Sequence, residues 1–93
     1  MKKVLVIGAS GHSKVIIDII ELQKKYEIVG LVDSFKNKTH VIYNYKVLGT
    51  EKDISQLIKV HNIYGFIIAI GDNFTRMRLF KDISLHNKNI KFA

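Results

Sequence analysis

The hydrophobic and polar positions along the chain alternate between strand-like and helix-like patterns. Residues 4–7 form an unbroken apolar run that ends at Gly8, which predicts a strand buried on both faces. From His12 to Lys25 the apolar positions recur at helical spacing, without glycine or proline between them, and predict a helix. Residues 27–33, EIVGLVD, predict a second buried strand. The opening segment therefore has the order of one βαβ unit, for which a right-handed crossover is expected.

The middle of the chain is less regular. Residues 34–45 have no clear period and predict a long loop, with a short strand at about residues 41–43. Thr50 followed by Asp53 is the acidic form of a capping box and predicts the start of a helix. Asn62 is a suitable residue for the end of that helix.

The last third predicts one more strand and one more helix. YGFIIAI, residues 64–70, is a buried-strand run, and a helix is expected over about residues 74–87. The side chains expected on its inward face are Met77, Phe80, Ile83 and Leu85. With no repeat and no linker, the alternation predicts one domain over residues 1–93, of the α/β class. Its predicted architecture is a small Rossmann-like open, mainly parallel sheet with helices on both faces.

Composition excludes several classes of protein. The chain has 93 residues, of which 47% are hydrophobic and 25% charged, and this is typical of a folded globular domain. No apolar run approaches the roughly 18 residues of a membrane-spanning helix, and the run after Lys3 is too short for a signal peptide. We therefore expect a cytoplasmic protein with no membrane insertion. The absence of cysteine removes disulfides and thiolate catalysis.

Charge and histidine placement do not point to nucleic acid or metal. The formal net charge is +7, but the lysines are scattered singly or in pairs, without a basic helix. No nucleic-acid partner is therefore predicted. Three histidines, His40, His61 and His86, lie far apart without a carboxylate at metal-ligand spacing, so neither a metal site nor a catalytic role is predicted for them. The segment GASGH also lacks the G-x-S-x-G pattern of a hydrolase nucleophile.

The segment IGASGHSK lies between the first strand and the first helix, where backbone N–H groups and the helix dipole attract phosphate. Gly8 suits a tight turn, and Gly11 allows a close approach of the backbone to a ligand or of the helix to a strand. The segment departs from the dinucleotide fingerprint G-x-G-x-x-G, because Ser10 and Ser13 stand at the second and third glycine positions. Ser10 either donates to a phosphate oxygen or caps the helix.

Four further residues complete the candidate site. His12 either donates to a phosphate or sugar oxygen or is a first-turn residue without a ligand. Asp33 lies about 20 residues after Gly11, the spacing of an acid that binds a ribose hydroxyl, or else it caps the following loop. Gly71 and Asn73 follow the third buried strand and are expected to contact ligand. Asp72 and Asn73 are alternatively expected to cap the last helix, for which Asn73 is a suitable residue.

The stretches VLVIGASGHSKVIIDII, GLVDS, KVLGTEKDI and FIIAIGDNFTRMRLF together resemble a known family. They are similar to the N-terminal domain of bacterial sugar O- and N-acyltransferases of the hexapeptide-repeat type. These PglD- and NeuD-like enzymes acetylate amino sugars of surface glycans and sialic acids. The resemblance, over residues 3–93, implies a domain that holds a nucleotide sugar, commonly a UDP-amino sugar. It implies that Gly8, Ser10, Gly11 and His12 line the diphosphate and sugar, that Asp33 faces the nucleoside, and that Gly71 and Asn73 close the pocket.

In that family a left-handed β-helix follows, forms a homotrimer, binds acetyl-CoA and supplies the catalytic histidine. The resemblance therefore implies that these 93 residues hold neither a catalytic residue nor a cofactor, and that they position the acceptor. Ser13 stands where the family often has glycine and Ser34 where some members have a second aspartate, and both changes are expected to alter nucleotide contacts. The alternatives are a regulatory module that binds NAD or CoA, and a structural domain with an empty cleft.

Overall fold

Six strands form one sheet in the computed structural model, which describes residues 1–9, 11–35, 40–86 and 91–92. They are β1 (Lys2–Ile7), β2 (Tyr26–Val32), β3 (Val41–Ile42), β4 (Tyr45–Gly49), β5 (Gly65–Ile68) and β6 (Lys91–Phe92). Their order across the sheet is β3-β4-β2-β1-β5-β6. All neighbouring strands are parallel except β3, which is antiparallel to β4. The predicted open, mainly parallel sheet is confirmed.

Helices cover both faces of this sheet, as predicted. They are α1 (Gly11–Gln23), α2 (Ile54–His61) and α3 (Asn73–His86), with a 3₁₀ turn at Glu51–Asp53 before α2. Val4 and Val6 of β1 belong to one buried cluster with Ile17 of α1. Leu5 and Ile7 belong to a second cluster on the opposite face, which includes residues of α2 and α3. Because β1 is covered on both faces, all its central positions are apolar.

The short strand predicted at about residues 41–43 is confirmed as β3, and it forms a hairpin with β4; residues 36–39 of the predicted loop lie outside the described residues. β3 and β4 are joined by Tyr43 and Asn44, whose φ angles of 50° and 70° are those of a two-residue type I′ turn. β4 then lies parallel to β2, with Val47 beside Leu31. The sequence did not predict β4, because only a short apolar run precedes Thr50 and its partner strand is distant along the chain.

Both ends of α2 follow the prediction. The N–H of Thr50 donates to the Asp53 carboxylate at 2.8 Å, and the Thr50 hydroxyl accepts from the N–H of Lys52 at 3.3 Å. The first turn is 3₁₀ before the α-helix begins. Asn62 follows the last helical residue with φ 55°, a conformation that asparagine tolerates better than most residues.

The inward face of α3 differs from the predicted one. Ile83 is buried as expected, but Met77, Phe80 and Leu85 are 57%, 45% and 69% exposed. Leu79, which was not predicted, is buried instead. The apolar residues of α3 are spread around most of the helix, so their spacing alone does not determine which side faces the sheet. No helix in the described ranges is long and apolar enough to cross a membrane.

The end of α1 offers a stability test. Lys24 follows the helix with φ 56°, and its N–H donates to the carbonyl of Ile20 at 3.3 Å. A side chain in this left-handed conformation crowds the neighbouring carbonyl, whereas glycine does not. We expect Lys24→Gly to raise the free energy of unfolding by about 1 kcal/mol, measured by urea unfolding. Lys25→Gly is the control, because Lys25 has no positive φ, and an equal gain there would contradict this explanation.

Candidate functional site

A cleft of about 190 Å³ opens where β1 and β2 end, next to α3. β1 pairs with β2 on one side and with β5 on the other, so the direction in which the chain builds the sheet reverses here. Ligands of open α/β sheets bind at this switch point. The floor of the cleft is apolar and consists of Ile7, Val32 and Ile70. Its other lining residues are Gly8, Asp33, Ser34, Phe35, Glu51, Thr75 and Arg78.

Gly8 forms the turn that leaves β1. Its φ is 115°, a region that residues with a side chain rarely adopt, and its N–H donates to the carbonyl of Val32 at 2.7 Å. A Cβ at this position would lie 2.8 Å from the carbonyl oxygen of Ala69. Both the backbone conformation and the space therefore require glycine here.

Asp33 ties this turn to the loop after β2. Its Oδ2 accepts a hydrogen bond from the N–H of Ala9 at 2.8 Å, and its Oδ1 accepts from the N–H of Phe35 at 2.7 Å. The interpretation of Asp33 as a loop cap is therefore confirmed. A carboxylate accepts up to about four hydrogen bonds, so this role is compatible with a ribose contact, which stays a prediction.

The cap of α3 is Asp72 and not Asn73. The Asp72 carboxylate accepts from the hydroxyl of Thr75 at 2.5 Å and from its N–H at 2.9 Å, and these hydrogen bonds lower the pKa of Asp72. Asn73 is already the first residue of the helix, and its Oδ1 accepts from Arg76 at 2.6 Å. The helix begins one residue earlier than predicted, so the alternative that Asp72 caps it is confirmed and the expectation that Asn73 does so was wrong. A ligand contact of Asn73 stays a prediction.

Gly11 and Gly71 are both exposed, and among the described residues no atom from elsewhere in the chain lies within 4 Å of the place where a Cβ would be. Neither has a positive φ. Packing of α1 on a strand therefore does not require Gly11, and this explanation of the glycine is contradicted. The other explanation, that a ligand approaches the backbone at Gly11, stays a prediction. His12 is exposed beside Gly11 in the first turn of α1. Ser10 lies outside the described residues.

Several cleft residues were not singled out from the sequence. Arg78 lies 3.4 Å from a carboxylate oxygen of Glu51 and 3.3 Å from one of Asp82. The hydroxyl of Ser34 donates to Glu51 at 3.3 Å. Glu51 begins the helical segment after β4, whereas Arg78 lies in the second turn of α3, so both would have been found by looking two turns into each helix that follows a strand end.

The two departures from the family pattern have different positions. Ser13 is fully buried on the inner side of α1 and is not among the lining residues of the cleft. Its difference from glycine therefore acts on the packing of α1, not directly on a ligand. Ser34 does line the cleft, as expected for a residue that alters nucleotide contacts. Within the described ranges, no three His, Asp or Glu side chains are close enough to hold a metal ion.

The sequence profile of a family described as the PglD N-terminal domain matches residues 3–83. Among solved structures, a variant of perosamine N-acetyltransferase from Caulobacter crescentus, in complex with CoA and GDP-perosamine, is 24% identical with a TM-score of 0.80. The alignment covers 97% of this chain and 40% of that protein, so the chain spans about two fifths of its length.

A second solved structure, UDP-D-quinovosamine 4-dehydrogenase from Vibrio fischeri, is 18% identical with a TM-score of 0.74, over 98% of this chain and 75% of that one. A Rex-family repressor, RSP, is 19% identical with a TM-score of 0.64, over 87% and 41% of the two chains. At these identities the similarity shows a shared fold. Among curated protein sequences, no significant match was found.

Proposed function

Because the chain belongs to the PglD N-terminal domain family, we propose that it binds the nucleotide-sugar acceptor of an acetyl-CoA-dependent sugar acetyltransferase. The observation that carries this proposal is the cleft at the switch point of the sheet, where the Gly8 turn meets the carboxylate of Asp33. A glycine turn before a helix favours phosphate, and an acid at the end of the second strand favours a ribose. The Caulobacter acetyltransferase, which has this fold, is in complex with GDP-perosamine, a nucleotide sugar.

The finer part of the proposal follows the family resemblance. We propose a UDP-amino sugar as the ligand and the modification of surface glycans or sialic acids as the process, in the cytoplasm. The diphosphate lies at the start of α1 and the nucleoside lies against the end of β2. The residues proposed to contact this ligand are Gly8, Ser10, Gly11, His12, Asp33, Gly71 and Asn73.

This domain contributes to acetyl transfer by positioning the acceptor sugar. In the intact enzyme, acetyl-CoA supplies the acetyl group, and the amine or hydroxyl of the sugar attacks it once a histidine base has taken its proton. We place that histidine, CoA and the homotrimer contacts outside this chain. Holding the acceptor in reach of the thioester lowers the entropic part of the barrier.

Thermal unfolding with UDP, a UDP-amino sugar, GDP, NAD and acetyl-CoA tests the proposal. A ligand at ten times its dissociation constant adds about 1.4 kcal/mol to the free energy of unfolding, a shift of several degrees in a domain of this size. We expect this shift with the uridine ligands. A shift with GDP alone would support a nucleotide-sugar ligand and would change its proposed base from uracil to guanine. A shift with NAD or acetyl-CoA alone favours the regulatory module and contradicts the proposal, and so does the absence of any shift.

A further inference from the structure

Phe35 is almost fully exposed, although its backbone N–H is hydrogen-bonded. Among the large hydrophobic residues that the structure describes, it has the highest exposure, 96%. Isolated exposed apolar side chains are common and carry no information by themselves. Phe35 differs from them because it lines the cleft and because its N–H is held by Asp33 at 2.7 Å. Phe74 is 79% exposed at the start of α3 and is not among the lining residues.

The charges of the cleft are unsuitable for a diphosphate. Asp33 and Glu51 contribute two carboxylates, and the guanidinium of Arg78 is shared between Glu51 and Asp82. Phosphate groups would be repelled by this balance, whereas the start of α1 offers backbone N–H groups and a favourable dipole. The diphosphate and the rest of the nucleotide are therefore expected in different places.

The size and the apolar surface of the cleft suit a flat group. Its volume of about 190 Å³ is below the roughly 300–1,000 Å³ of pockets for whole ligands, so it holds one part of a nucleotide sugar. Three of its lining side chains, Ile7, Val32 and Ile70, are apolar, and the other lining residues include hydroxyls and carboxylates. A nucleobase has two apolar faces and a polar edge, and it matches this distribution better than a sugar does.

We propose that Phe35 is the surface on which the nucleobase of the ligand stacks. This inference rests on the proposed function, since it requires a nucleotide in the cleft. The base lies between the phenyl ring and the apolar floor, with its polar edge toward Glu51 and Thr75. Base stacking on an aromatic ring is tolerant of base identity, because every base has a π-face. Phe35 therefore supplies affinity for any nucleotide that the domain binds, and the choice between bases belongs to the polar sides of the cleft.

The first experiment compares Phe35→Ala with Phe74→Ala by calorimetric titration with UDP and GDP. Loss of one base–aromatic stacking contact weakens binding about tenfold or more. We expect that loss for Phe35→Ala, by a similar factor for each nucleotide that the wild-type chain binds, and a change below about twofold for Phe74→Ala. Wild-type affinity in Phe35→Ala, or an equal loss in both variants, would overturn the inference.

A second variant reports stacking directly. The sequence contains no tryptophan, so Phe35→Trp introduces a single indole reporter. We expect this variant to bind with near wild-type affinity and its fluorescence to be quenched by UDP or GDP, but not by inorganic pyrophosphate. Unchanged emission at saturating nucleotide contradicts stacking. If the wild-type chain binds no nucleotide, the proposed function fails; if it binds and Phe35→Ala binds equally, only the stacking inference fails.

Discussion

Replacing Gly8 by alanine should lower the free energy of unfolding by about 2–4 kcal/mol. Two costs combine, since φ at Gly8 is 115° and the new Cβ would lie 2.8 Å from the carbonyl oxygen of Ala69. That oxygen belongs to backbone and moves only if the segment after β5 moves. Urea unfolding followed by circular dichroism measures the loss. Domains of this kind are stable by about 5–15 kcal/mol, so the variant should stay folded without denaturant.

Gly11→Ala is the matched control, because it makes the same chemical change three residues later. No atom lies within 4 Å of the new Cβ, and alanine is favoured over glycine in a helix. We expect the free energy of unfolding to stay unchanged or to rise by up to about 1 kcal/mol. Affinity for nucleotide should fall, because the methyl group occupies space that the ligand approaches. Equal destabilisation in both variants contradicts the structural account of Gly8, and unchanged affinity in Gly11→Ala contradicts the ligand contact.

These two glycines illustrate what sequence patterns predict and what they leave open. Both were assigned to the turn between β1 and α1, and the turn is where it was expected. Their different roles depend on Ala69, which directly follows β5 and is distant along the chain. A local pattern contains no information about such a contact.

The same distinction holds for the fold. Long runs with a clear period, such as residues 4–7 and the apolar stripe of α1, predicted their elements because burial on known faces selects the residue types. β4 was missed because its short run gains its stability from pairing with β2. The predicted inward face of α3 was right for Ile83 and wrong for Met77, because the apolar residues are spread around the helix and their spacing does not show that Leu79 is the buried one.

In the site, Gly8 and Asp33 were identified from the rule that ligands bind at the carboxyl ends of parallel strands, and both line the cleft. It did not identify Phe35, Glu51 or Arg78. Glu51 and Arg78 are 27 residues apart and meet only because α2 and α3 pack on the same face of the sheet. Which side chains two helices contribute to a cleft depends on how the helices pack in the tertiary structure. The positions of the strands along the sequence do not predict this packing.

Asp33→Ala should both destabilise the domain and weaken nucleotide binding. The carboxylate accepts from Ala9 N–H and Phe35 N–H, and a hydrogen bond to a charged group contributes about 1.5–3 kcal/mol. The bond to Phe35 is exposed and is worth less, so we expect a total loss of about 2–4 kcal/mol in urea unfolding. Asp33→Asn keeps one acceptor oxygen and should lose less. Equal stability of wild type and Asp33→Ala would show that these hydrogen bonds do not hold the turn.

The effect of Asp33 on binding can be separated from its effect on folding by combining variants. If Asp33 acts on the base through the loop that carries Phe35, the double variant Asp33→Ala/Phe35→Ala should lose less affinity than the sum of the losses in the two single variants. The reason is that the stacking contact can be lost only once. All titrations are made at a temperature below the unfolding transition of the least stable variant. Additive losses would mean that Asp33 contacts the nucleoside directly, as its spacing from the glycine turn predicts. Asp33 would then bind ribose, and its contribution to affinity would be independent of the stacking contact at Phe35.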